Sequence, residues 1–108
     1  MIRETVYNSR GQVTGVIDNG TLIKQGVNPD KHQLRKPPAY AIDKEHLDKL
    51  VEISGWGVAL TTTQGEVWSA PIGEFLLHGI ELNRGEGIQV ALPLEYWTVK
   101  DWRQMSML

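Results

Sequence analysis

The sequence predicts an α+β fold: an antiparallel meander plus further hairpins, forming a bent sheet or a partly open small barrel, with one well-defined helix and one short helix. Three observations carry this prediction. Short alternating segments flank an Asn19-Gly20 pair near the start of the chain. A segment around 43–55 holds a full set of helix start and stop signals. The rest runs in short apolar stretches punctuated by Gly and Pro.

Residues 3–8 and 12–18 read as strands joined by a turn at Ser9-Arg10-Gly11. Asn19-Gly20 then supplies a two-residue hairpin turn, because type I′ geometry needs positive φ at both central positions and these two residues tolerate it. The third strand covers residues 21–25. Val13, Gly15 and Ile17 share one face, with Thr14 and Val16 on the other. Gly15 inside a strand marks a bulge or the close approach of a neighbour. Residues 26–41 are expected to be an irregular connection, since Pro37-Pro38 forbids both helix and central strand.

Residues 44–53 are the well-defined helix. Asp43 caps it, and Ile42 staples onto Leu47. Leu47, Leu50 and Val51 form the stripe expected to be buried, Glu45 and Lys49 an exposed i,i+4 pair, and Gly55 the stop. Trp56 is expected in the core or half-buried, as is Trp68. Strands follow at 57–63 and 66–70, turned at Gln64-Gly65. Pro71 opens the short helix, which runs to about His78 and ends at Gly79, with Gly73 keeping it short. Residues 80–83, 88–92 and 94–99 complete the strands, with the loop Arg84-Gly85-Glu86-Gly87 after the first and Pro93 between the last two. In the last strand Tyr96 and Trp97 point to opposite faces, so one of them is expected to be partly exposed. Residues 1–100 thus make a single domain, and 101–108, which show no pattern, a flexible tail.

At 108 residues, 41% hydrophobic and 22% charged, the chain suits one globular core. No apolar run approaches the ~20 residues of a membrane-spanning helix, so no membrane partner is expected. Met1-Ile2-Arg3-Glu4 has no apolar signal region, and a cytoplasmic location is the default. The absence of cysteine excludes disulfides, a thiol nucleophile and thiolate metal sites. No cofactor or metal is called for by any motif.

Function narrows to one anomaly. The chain has a net charge of −2, yet residues 24–40 hold Lys24, Lys31, Arg35 and Lys36 against the single acid Asp30. Three readings of 31–40 stand side by side. Lys31, Arg35 and Lys36 contact nucleic-acid phosphates while His32 and Tyr40 stack on bases. Alternatively, Pro37-Pro38 forms a polyproline ledge for a protein partner. In the third reading the segment merely crosses the sheet, with Leu34 and Tyr40 buried and the charges solvated. Arg84, between turn glycines, is a secondary anion-contact candidate, although no phosphate-loop lysine follows it. Asp43 and His46 stand one helical turn apart, a weak metal-ligand spacing, and His46 is expected at the surface.

The stretches His-Gln-Leu-Arg-Lys-Pro-Pro-Ala at 32–39 and Asn-Arg-Gly-Glu-Gly-Ile-Gln-Val-Ala-Leu-Pro at 83–93 resemble those of a family of small uncharacterised prokaryotic proteins. The likeness covers most of residues 5–99. It implies no activity, only that these two stretches belong to one surface. The leading expectation is a non-catalytic binding module that uses Lys31, His32, Arg35, Lys36, Pro37, Pro38, Tyr40 and Arg84. Its partner would be a protein, a second copy included, or else a nucleic acid. The competing expectation is a small hydrolase or nuclease, with His32, His78 or Glu86 as acid–base groups converging in one pocket.

Overall fold

The N-terminal meander forms where its turns dictate. In the computed structural model, which describes residues 3–34, 36–83, 85 and 87–101, Asn19 and Gly20 adopt φ of 52° and 82°. They join β2 (Val13–Asp18) to β3 (Thr21–Val27), and β2 pairs on its other side with β1 (Arg3–Tyr7). Asn8 builds the first turn by accepting the backbone N–H groups of Arg10 and Gln12 on its side-chain oxygen, at 2.9 and 3.0 Å. The expected bulge falls beside Gly15: Val6 pairs with Gly15 and Tyr7 with Val13, which leaves Thr14 as the extra residue. A Cβ on Gly15 would lie 2.8 Å from the Ile23 carbonyl oxygen.

The next neighbour of β3 is β5 (Gly57–Thr62), and this pair is parallel. Only hairpins were expected, so the sheet is mixed where an antiparallel one was anticipated. The intervening chain explains the difference. It contains α1 (Pro29–Gln33), β4 (Ala39–Asp43) and α2 (Lys44–Glu52), long enough to return to the starting edge. β6 (Glu66–Pro71) and β9 (Thr98–Asp101) then extend the sheet to six strands in the order β1-β2-β3-β5-β6-β9. A separate three-stranded sheet, β4-β8-β7, uses β7 (Ile80–Asn83) and β8 (Ile88–Pro93). The large sheet does not close on itself, and α3 (Ile72–His78) is the short second helix.

One apolar cluster joins both sheets and the helices. Leu22, Val58 and Leu60 come from the large sheet, Ile42 and Leu92 from the small one, Leu47 and Leu50 from α2, and Phe75 from α3. Several local expectations are corrected. The connection 26–41 is not irregular throughout: Asn28 caps α1 with Pro29 at its first turn, and Tyr40 and Ile42 alternate inward on β4. On α2 the buried stripe is His46, Leu47 and Leu50, while Val51 is 47% exposed. His46 is turned inward because its Nε2 reaches the Tyr7 carbonyl on β1 at 3.1 Å. Lys49 pairs with Glu4 on β1 rather than serving as the exposed partner of Glu45.

Asp43 precedes α2 without a side-chain cap bond, and its carboxylate accepts the Gln89 amide N–H instead. At the other end Ser54, with φ 54°, occupies the left-handed position, and Gly55 N–H returns to Leu50 O. Trp56 is 50% exposed, although its backbone is pinned between Gly20 and Ile72. After Pro93 the chain makes a 3₁₀ turn at Leu94–Tyr96 before β9, so the expected strand at 94–99 is broken and shifted. Leu94 N–H bonds the Pro38 carbonyl, which ties that turn to the proline segment. Trp97 is buried and Tyr96 is the partly exposed member of the pair. Asp101 closes β9; the rest of the expected tail lies outside the described residues.

Candidate functional site

The basic cluster depends on a second bulge. Along β3, Lys24 pairs with Leu60 but Val27 with Thr62, so the ladder slips at Gln25-Gly26, where Gly26 takes φ of 70°. The register puts Lys24 beside Leu60 on the core side of the sheet, at its open end. Asn28 then starts α1 by accepting the Asp30 N–H at 3.1 Å. Asp30 in turn accepts the Gln64 amide N–H at 3.3 Å, which fixes the short helix against the β5–β6 turn. The result is a cleft of about 370 Å³ between the two bulges and α1, lined by Thr14, Lys24, Gln25, Lys31, His32 and Tyr40 among others.

Tyr40 forms the floor of this cleft rather than a stacking platform. It is only 7% exposed, packed edge-on against Trp97 at 5.8 Å and covered by His32 at 4.6 Å. Burial, with the negative charge of Asp43 adding to it, pushes its phenol up to about 12. The Lys24 ammonium lies 5.5 Å from the centre of the Tyr40 ring. Desolvation lowers the Lys24 pKa from its usual value, and Asp43 opposes that only in part. Among the described residues no carboxylate comes within ion-pair distance of Lys24 or Lys31. Among the described residues, the walls of this cleft contain no Asp or Glu.

The remaining sequence candidates divide into three groups. Lys36, Pro37 and Pro38 are exposed beyond α1, with a cis peptide between Lys36 and Pro37, and Leu34 beside them is 81% exposed. The reading that buried both Leu34 and Tyr40 therefore holds for Tyr40 and fails for Leu34. Arg35, Arg84 and Glu86 lie outside the described residues. β8 runs from Ile88, which pairs with Asn83, to Pro93, which pairs with Ala39. The 32–39 and 83–93 stretches therefore meet at the Ala39–Pro93 pair, beside which the Leu94 N–H bonds the Pro38 carbonyl.

Among the described residues, the two acid–base candidates His32 and His78 are not brought together. His32 packs on Tyr40 in the basic cleft, while His78 stacks on Tyr96 at 4.0 Å and pairs with Glu74 at 3.8 Å. Asp43 and His46 do approach each other, at 3.9 Å, but among the described residues no third ligand joins them. Sequence reading missed the bulge at Gln25-Gly26, Lys24 as a cleft residue and α1 itself. Gly26 and the Asn28-Pro29 pair were the available signals.

No protein-family model, curated protein or solved structure matches the chain.

Proposed function

We propose that this protein is a non-catalytic binding module that docks an acidic segment of a protein partner in the cleft between β3 and α1. The observation that carries this reading is a concave site holding Lys24 and Lys31 with no carboxylate in its walls. The Lys24 ammonium is partly desolvated and Asp43 offsets that only in part, so an incoming carboxylate would be favoured there. Exposed Leu34, Pro37 and Pro38 beside the charges add an apolar ledge suited to a peptide side chain. Nucleic acid is the weaker match, because Tyr40 is buried and the His32 ring is packed against it, which removes the expected base-stacking pair.

Fluorescence anisotropy with a labelled deca-glutamate peptide and a labelled ten-nucleotide oligo-dT tests the proposal. The peptide is expected to bind, and Lys24→Met with Lys31→Ala is expected to weaken it at least tenfold. Equal binding by that double variant, or no binding of the peptide, refutes the proposal. Tight, steeply salt-dependent binding of oligo-dT alone would transfer the cleft to nucleic acid.

A further inference from the structure

The six-stranded sheet buries only one of its faces. Ile17, Leu22, Val58 and Trp68 point into the core, where the helices and the small sheet join them. Strand alternation turns their neighbours to the opposite side. There the register aligns six residues in one row across all six strands: Thr5, Val16, Ile23, Ala59, Ser69 and Thr98. Thr5 and Thr98 are exposed at the two edges, and the four between them are half-buried.

A sheet face left to water ordinarily carries polar and charged residues. This row has no charge from one edge of the sheet to the other. Beside it, Thr61 and Val67 continue the uncharged surface on β5 and β6. Among the described residues, the charges that register places on this face are Arg3, Asp18 and Lys100. Arg3 and Asp18 pair with each other at 3.9 Å, and Lys100 stands on the edge strand β9. All three can stay in water at the rim of a covered face.

The row is also graded in size. Its β2–β3 half carries Val16 and Ile23, and its β5–β6 half carries Ala59 and Ser69. Consider a two-fold axis parallel to the strands, midway between β3 and β5. It seats Ile23 over Ala59 of the partner subunit, Val16 over Ser69 of the partner subunit and Thr5 over Thr98 of the partner subunit. Large side chains then meet small ones, as aligned sheets pack, and the contact is isologous and closes at two copies. Six strands at 4.8 Å spacing and five residues at 3.4 Å rise give a footprint of about 490 Å² per copy. The pair therefore covers about 1,000 Å² before side-chain relief is counted, which reaches the size of a specific interface.

We infer that the open face of the six-stranded sheet is a dimer interface, and that its occupant is a second copy of this chain. The inference goes beyond the acidic-peptide reading and does not depend on it. Lys24 points to the core side of the sheet, so the dimer leaves one basic cleft free on each copy.

Sedimentation velocity of the full chain over a range of concentrations supplies the first test. The 12.2 kDa chain is expected to double its mass as concentration rises. Ala59→Arg places a charge in the middle of the row and is expected to weaken dimerisation at least tenfold, with circular dichroism checking that the variant folds. Leu77→Arg, at a residue 78% exposed on α3, should leave the dimer intact, as should Lys24→Met with Lys31→Ala. A second measurement does not depend on Ala59→Arg folding. The chain has no cysteine, so Thr98→Cys can carry a single nitroxide. Unlabelled copies bearing it are expected to broaden the Thr5 amide of nitrogen-15-labelled copies mixed with them. A monomer at every concentration would overturn the inference, and would leave the face to residues 102–108 or to another protein. A dimer that folded Ale59-position charge does not weaken, a dimer broken by Leu77→Arg, or an unaffected Thr5 amide would overturn it as well.

Discussion

Tyr40 shows how neighbours in space decide a role that neighbours in sequence leave open between stacking and burial. Between prolines and lysines it looks available for stacking; in the fold it is the floor of a cleft, enclosed by His32, Trp97 and the Lys24 ammonium. Its titration has a consequence for stability. The unfolded chain releases the phenol proton near pH 10, whereas the folded chain holds it to about 12. In that window the unfolded state binds fewer protons, so stability falls as pH rises. Two pH units correspond to about 2 to 3 kcal/mol. Tyr40→Phe should abolish this part of the alkaline loss, and urea unfolding of both proteins at pH 9.5 and 11.5 measures it. Parallel losses in the two proteins would contradict the enclosed phenol. Lys24 has the opposite sign: its lowered pKa makes stability rise with pH as pH approaches its ordinary value of 10.5.

At the level of elements, the legible parts were those whose signals are local. Asn19-Gly20, the span of α2, and the Pro71-to-Gly79 frame of α3 were all readable, because turn geometry and helix ends depend on a few adjacent residues. The misreadings lie where two elements meet. Val51 was placed in the core by helical period, but the side of α2 that packs includes His46, since β1 presents the Tyr7 carbonyl there. Ser54 rather than Gly55 takes the left-handed place because Gly55 is needed for contact: a Cβ there would lie 2.6 Å from the Gly20 oxygen. Gly57 makes a tighter version of the same contact. A Cβ on it would stand 2.2 Å from the Ala70 oxygen and 2.8 Å from Pro71 Cα, both backbone atoms that cannot rotate away. Gly57→Ala is expected to cost about 3 kcal/mol by forcing β5 and β6 apart. Denaturant melts would show it, and a loss below about 1 kcal/mol would mean that the pair can adjust.

For the molecule as a whole, the decisive fact is that one core serves both sheets. Ile42 and Leu92 of the small sheet belong to the same cluster as Leu22, Val58 and Leu60 of the large one, with α2 and α3 contributing Leu50 and Phe75. The sheets are therefore expected to unfold together. Far-ultraviolet circular dichroism and tryptophan fluorescence should give coincident urea transitions, and separated midpoints would show that the small sheet melts alone. Local chemistry in the sequence determined the α+β class, the hairpin turn, the span of α2 and the concentration of positive charge in 24–40. Only the tertiary structure decided the parallel β3–β5 pairing, the inward place of Tyr40, and the basic cleft between β3 and α1. The reason is physical. Turns and caps are set by contacts within a few residues, whereas strand partners and pockets are set by which distant segments exclude water together.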